Sequence, residues 1–143
     1  MRARPRHAEN RIAEEITKIT HELFEREPLI GLTGPDLTWP NKLGWAIDVK
    51  SRLEVPHHLW QYEPYCTATY AVVSLNHWGA RNLTVQEKES KIVIGYLEHM
   101  KEWTDVNGGT PIVVLHRPGM EYRQAVLVCY IDNYEQVARL EEA

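Results

Sequence analysis

Apolar and polar positions along the chain alternate with two different periods. Between His7 and Phe24, the residues Ala8, Ile12, Ile16, Ile19 and Leu23 recur at spacings of three and four, which predicts an amphipathic helix ended by Pro28. "LIGLTG", residues 29–34, reads as a short strand leaving through a glycine turn. "LGWAIDVKSR", residues 43–52, switches to a period of two, with Trp45, Ile47 and Val49 on one face and Ala46, Asp48 and Lys50 on the other. "YCTATYAVVSL", residues 65–75, is rich in β-formers and predicts one further strand, followed by a loop over 76–85. From Gln86 to Trp103 the helical period returns, with Val93, Tyr96, Leu97 and Met100 along one face and "NGG" at 107–109 as the stop. "TPIVVLHR" and "YRQAVLVCYI" predict strands joined by the turn "PGM", and Asp132 with Glu135 forms a capping-box pair for a last short helix. Helix, three strands, helix, two strands, helix is an α/β order, a central mixed β-sheet flanked by helices.

The chain has 143 residues, enough for a single domain with a proper core. Its 43% hydrophobic content argues against disorder, and no apolar run reaches membrane-spanning length. The basic start "MRARPRH" leads into a polar helix, which is not the pattern of a secretory signal. Cys66 and Cys129 lie in apolar strands and are too few for a disulfide framework, so both are expected reduced, in the core of an intracellular protein. The net charge of −4 weighs against a nucleic-acid partner, but Arg2, Arg4, Arg6 and Arg11 cluster at the front and a metal site would itself add carboxylates. No zinc-ligand spacing, Gly-rich phosphate loop or serine-nucleophile motif is present; adjacent His57 and His58 would point to opposite faces of a strand and suit one metal poorly.

An (Asp/Glu)-x-Lys triplet occurs about once by chance in a chain of this kind. Glu89-Ser90-Lys91 lies in the charged run "VQEKESK" and reads as a solvated helix face. Asp48-Val49-Lys50 is different, because the strand phase puts both charges on one face beside the core, where desolvating an unpaired ion costs several kcal/mol. An edge strand with one wet face would also accommodate them. Asp36 follows Gly34-Pro35, either as plain turn chemistry or as a second carboxylate delivered to the same hard cation. Glu9 lies in line with Ile12, Ala13 and Ile16 and so faces the sheet, unless it only complements the first helical turn; Glu15 is the runner-up and Glu14 lies on the opposite face.

With Glu9, Asp36, Asp48 and Lys50 in that order, the sequence resembles the PD-(D/E)xK nuclease superfamily, whose fold is restriction-endonuclease-like. Within it the chain is most similar to archaeal-type Holliday junction resolvases. "RHAENRIAEEI" resembles their first helix with its early glutamate, "GLTGPD" their glycine loop, "AIDVKS" their Glu-Val-Lys strand with Asp in place of Glu, and "EHMKEWTDVNGGTPIVVL" their following helix and strand. The likeness is good over 7–52, loose over 88–130 and poor over the insertion-like segment 53–87.

The resemblance and the residues together imply a Mg²⁺-dependent endonuclease, with Mn²⁺ able to substitute. Asp36 and Asp48 would hold the metal, with the Val49 carbonyl as a further ligand and Glu9 reaching it through water or holding a second ion. Lys50 would orient the attacking water or stabilise the transition state. Arg2, Arg4, Arg6, Arg11 and Arg52 would contact DNA backbone, although residues 1–7 would also suit a frayed basic arm. Thr33 would donate to a phosphate or serve as an ordinary turn threonine. Trp60 and Trp78 would stack on DNA or pack in the core. Symmetric cutting of branched DNA implies a homodimer acting in the cytoplasm or nucleoid, and a nuclease this compact would suit a virus, plasmid or microbial genome. Two alternatives remain: a restriction-like, repair or single-strand-processing nuclease, and a non-catalytic adaptor on the same fold.

Overall fold

The computed structural model describes residues 5–27, 34–53, 57–60 and 63–138. The N-terminal apolar stripe winds into α1 (Pro5–Thr20) and buries Ala8, Ile12, Ala13 and Ile16. This helix is shorter than the periodicity predicts. Thr17 and Thr20 turn their hydroxyls back onto the Ala13 and Ile16 carbonyls, each at 2.8 Å. His21 then takes a φ of 60°, a left-handed conformation that ends a helix well before Pro28. Leu23, expected on the stripe, is consequently 68% exposed. Phe24 enters the core from an extended segment instead, its amide donating to Thr17 Oγ1 at 2.9 Å. Most of the expected "LIGLTG" strand, residues 29–33, lies outside the described residues.

Six strands form one mixed sheet in the order β1-β5-β6-β3-β2-β4. They are β1 (Trp45–Ser51), β2 (Tyr65–Cys66), β3 (Tyr70–Ser74), β4 (Thr84–Val85), β5 (Thr110–His116) and β6 (Val126–Tyr130). β1 runs parallel to β5 and β2 parallel to β4, while the other neighbours are antiparallel. The stretch 65–75, expected as one strand, folds into the β2–β3 hairpin. Thr67 Oγ1 makes the turn by accepting the amides of Thr69 and Tyr70, both at 3.1 Å. The expected loop over 76–85 contains a 3-10 turn, Leu75–His77 at its start, and the edge strand β4. Segment 53–87 therefore supplies β2, β3 and β4 to the sheet.

The second long helix, α2 (Lys91–Asn107), starts later than Gln86 because Ser90 caps it, Oγ accepting the Val93 amide at 3.3 Å. It stops where Gly108 takes a φ of 85°. "YRQAVLVCYI" opens as a 3-10 turn, Tyr122–Gln124, before β6, and α3 (Ile131–Ala138) has Asp132 in its first turn.

The period of two divides the core between the sheet's faces. Trp45, Ile47 and Val49 join Ile112, Val114 and Leu127 beneath α1 and α3. Val113, Leu115, Val126 and Val128 pack against Val93 and Leu97 of α2. The fold is thus α/β, a six-stranded mixed sheet with helices on both faces. No helix among the described residues is long and apolar enough to cross a membrane.

Candidate metal site

Because Ile47 and Val49 face α1, the intervening Asp48 and the following Lys50 project on the side that α2 covers. Asp48 is only 6% exposed. Lys50 Nζ lies 3.5 Å from Asp48 Oδ2 and 5.5 Å from the centre of the Tyr96 ring on α2. The lysine is therefore held between a carboxylate and an aromatic face.

Asp36 reaches the same strand by main-chain bonding. Its amide donates to the Ile47 carbonyl at 2.8 Å, and its Oδ2 accepts the Val49 amide at 2.8 Å. The segment carrying Asp36 forms no named strand but makes a single bridge, Arg26 with Leu37, reinforced by Glu27 N–H to the Asp36 carbonyl at 2.7 Å and Thr38 N–H to the Glu25 carbonyl at 2.8 Å. The loop from there to β1 is organised by Asn41. Its Nδ2 donates to the carbonyls of Thr38 and Trp45, both at 2.9 Å, and its Oδ1 accepts the amides of Leu43 and Trp45, both at 3.1 Å. Trp39 then packs over Gly109 and stacks edge-on against Trp103 with ring centres 5.2 Å apart.

Burial, and then the adjacent Asp48 carboxylate, pushes the Asp36 carboxyl from the usual 3.8 up to about 7; the Val49 amide and Lys50 pull the other way. Two carboxylates this close in a half-buried site either share a proton or share a cation.

Glu9 does not complete the set. It is half-buried on α1, which covers the opposite face from Asp48 and Lys50, and it makes its own contacts within the protein. Among the described residues no group of three or more His, Cys, Asp or Glu side chains is arranged to hold a metal ion.

Of the expected DNA contacts, Arg2, Arg4, Thr33 and the side chain of Arg6 lie outside the described residues, as do the side chains of His57 and His58. Arg11 pairs with Glu14 at 3.4 Å and lies over the Tyr122 ring at 5.4 Å. Arg52 is exposed and its Nη1 donates to the Ser51 carbonyl at 3.1 Å. Trp78 packs against Trp45 with the rings tilted and their centres 5.5 Å apart, and Trp60 packs on the α2-side core, so both serve packing in this structure. Cys66 and Cys129 are free, and burial pushes the Cys129 thiol up to about 12.

Sequence reasoning missed Asn41, Tyr96 and His116. Tyr96 was visible only as a member of the α2 apolar face, and nothing in "WPNKLGW" marks Asn41 beyond its being a turn residue.

No protein-family model, curated protein or solved structure matches the chain.

Proposed function

We propose that the protein is a divalent-metal-dependent endodeoxyribonuclease of the PD-(D/E)xK, restriction-endonuclease-like kind, acting on branched DNA as a homodimer. The observation that carries this reading is the meeting of Asp36 and Asp48, from separate segments, beside Lys50. The donor set fits Mg²⁺ or Mn²⁺: two carboxylates and a nearby main-chain carbonyl at Val49 suffice for an ion that keeps several waters and takes further oxygens from a phosphate. When bound, such an ion supplies Lewis acidity toward the phosphate and a more acidic water.

The chain's own residues do the rest. Asp36 is held in place by the Val49 amide, so its carboxylate is oriented before any substrate arrives. Asp48 has little exposure, which strengthens its field at the site. Lys50 brings a positive charge that would offset negative charge developing on the phosphate oxygens.

The test is a cleavage panel of four-way junctions, flaps, duplex and single strands with Mg²⁺. Paired symmetric nicks on junctions are expected, and Asp48→Ala or Lys50→Ala should each lower the rate by roughly 10²-fold or more. Preference for duplex, flaps or single strands would instead favour a restriction-like, repair or single-strand-processing nuclease. The lack, among the described residues, of a group of three or more His, Cys, Asp or Glu side chains arranged for a metal favours a second reading, a nuclease fold that binds DNA or protein without cutting. Absence of cleavage on every substrate, with metal bound, would select it.

A further inference from the structure

We propose that the rim at the C-terminal ends of β1 and β5 is a docking surface for a nucleic-acid backbone, with Arg11, Arg52, Arg117 and Arg123 as its phosphate contacts. Nucleic acid as the polyanion rests on the nuclease reading; the rim itself rests on how the chain is assembled here.

Parallel pairing brings Ser51 and His116 side by side at the same end of the sheet as Lys50. Arg52 and Arg117 follow them directly and both are exposed. The Arg52 amide donates to the His116 carbonyl at 3.0 Å, which extends the pairing into the rim. His116 is buried beneath it. The Met120 carbonyl, 2.9 Å away, can only accept, so Nε2 carries the proton and Nδ1 accepts from the Ser51 hydroxyl at 3.0 Å. The imidazole also stacks on Tyr122, with ring centres 4.1 Å apart and planes at 8°. Tyr122 in turn carries the Arg11 guanidinium, and His7 meets its ring edge-on at 5.9 Å. Arg123 follows Tyr122 in the same 3-10 turn.

The buried imidazole and the Tyr122 ring stacked on it thus tie together the ends of β1 and β5, the 3-10 turn and α1, each of which presents an arginine. Glu14 lies 3.4 Å from Arg11, and Glu121 lies 2.8 Å from Arg123. In a chain of net charge −4, this concentration gives a polyanion a local reason to arrive. Of the rim arginines, Arg52 lies two residues beyond Lys50 in the chain, about 7 Å along extended backbone.

The experiment measures binding of labelled duplex and four-way junction to the full chain in EDTA, across a salt series. The variants are Arg52→Gln/Arg117→Gln/Arg123→Gln together, and the same three positions changed to Lys. The expected result is at least a tenfold loss of affinity for the glutamine variant near 0.1 M salt, with the log–log salt slope reduced by about 2–3. The lysine variant should recover most of that loss. Wild-type affinity and slope in the glutamine variant would overturn the rim, as would a wild-type chain that binds no DNA. Cleavage by wild type with no rim effect would leave the nuclease reading standing alone. Rim-dependent binding without cleavage in Mg²⁺ would leave the rim standing and remove the nuclease.

Discussion

The main-chain amide of Val49 donates to Asp36 Oδ2 at 2.8 Å, so the strand that carries Asp48 and Lys50 also grips the other carboxylate of the site. Since the grip comes from the backbone, the arrangement depends on the register of β1 and not on the side chain at 49.

Proton and metal should compete at this pair. The Asp36 carboxyl is raised from 3.8 to about 7, so the folded chain holds that proton more tightly than the unfolded one. Without metal, the stability this proton confers is full below pH 3.8 and is lost as pH rises toward 7. Thermal melts in EDTA should show that contribution as a decline that Asp36→Asn removes, leaving the opposite pH dependence of His116. Added Mg²⁺ should raise the melting temperature more at pH 8 than at pH 5, because the cation must displace the proton. Equal stabilisation at the two pH values would remove Asp36 from the metal site.

Tyr96 should act on the reaction through Lys50. The ammonium lies 5.5 Å from the ring centre, within cation–π range. Tyr96→Phe keeps that face and should retain near-wild-type cleavage. Tyr96→Leu keeps much of the packing but loses the face, and should lower the cleavage rate several-fold with little change in DNA affinity. A Leu variant as fast as the Phe variant would show that the Tyr96 ring does not position Lys50.

Asn41 should matter for both stability and metal affinity, because its amide group makes four main-chain hydrogen bonds in the loop between Asp36 and β1. Asn41→Ala leaves those groups to water and should cost about 1–3 kcal/mol in urea unfolding. Its Mg²⁺ affinity should fall as well, whereas an exposed substitution such as Lys42→Ala should change neither.

The alternation of Trp45 to Lys50 is legible in the sequence because a sheet covered on both faces sorts odd from even positions, and the charged pair interrupts only one of them. The β2–β3 hairpin is not legible, since the side chain of Thr67 bends a run of β-formers that contains neither glycine nor proline. The end of α1 is hidden for a similar reason: Thr17 and Thr20 bond locally and His21 adopts a left-handed φ, while Ile19 and Leu23 continue the apolar spacing past the real terminus. Asp36 is legible as a turn residue, but its link to β1 runs through main-chain groups that every sequence shares. Glu9 shows how periodicity can place a carboxylate beside an apolar helix stripe without telling which face of the sheet that helix covers.

His116 should govern acid stability in the sense opposite to Asp36. Burial, chiefly, with a contribution from His7, lowers its pKa below the ordinary 6.5, although the Met120 carbonyl favours the charged ring. The unfolded chain therefore takes up this proton first, and the stability that neutral His116 confers is full above pH 6.5 and lost as pH falls through the folded value. His116→Phe would keep a ring against Tyr122 but strand the Ser51 hydroxyl and the Met120 carbonyl, so it should cost about 1–3 kcal/mol at neutral pH. In an Asp36→Asn background, which removes the opposing carboxyl, melting temperature should rise with pH between 5 and 7, and His116→Phe should abolish that rise. A rise that survives the Phe substitution would assign the acid sensitivity to another group.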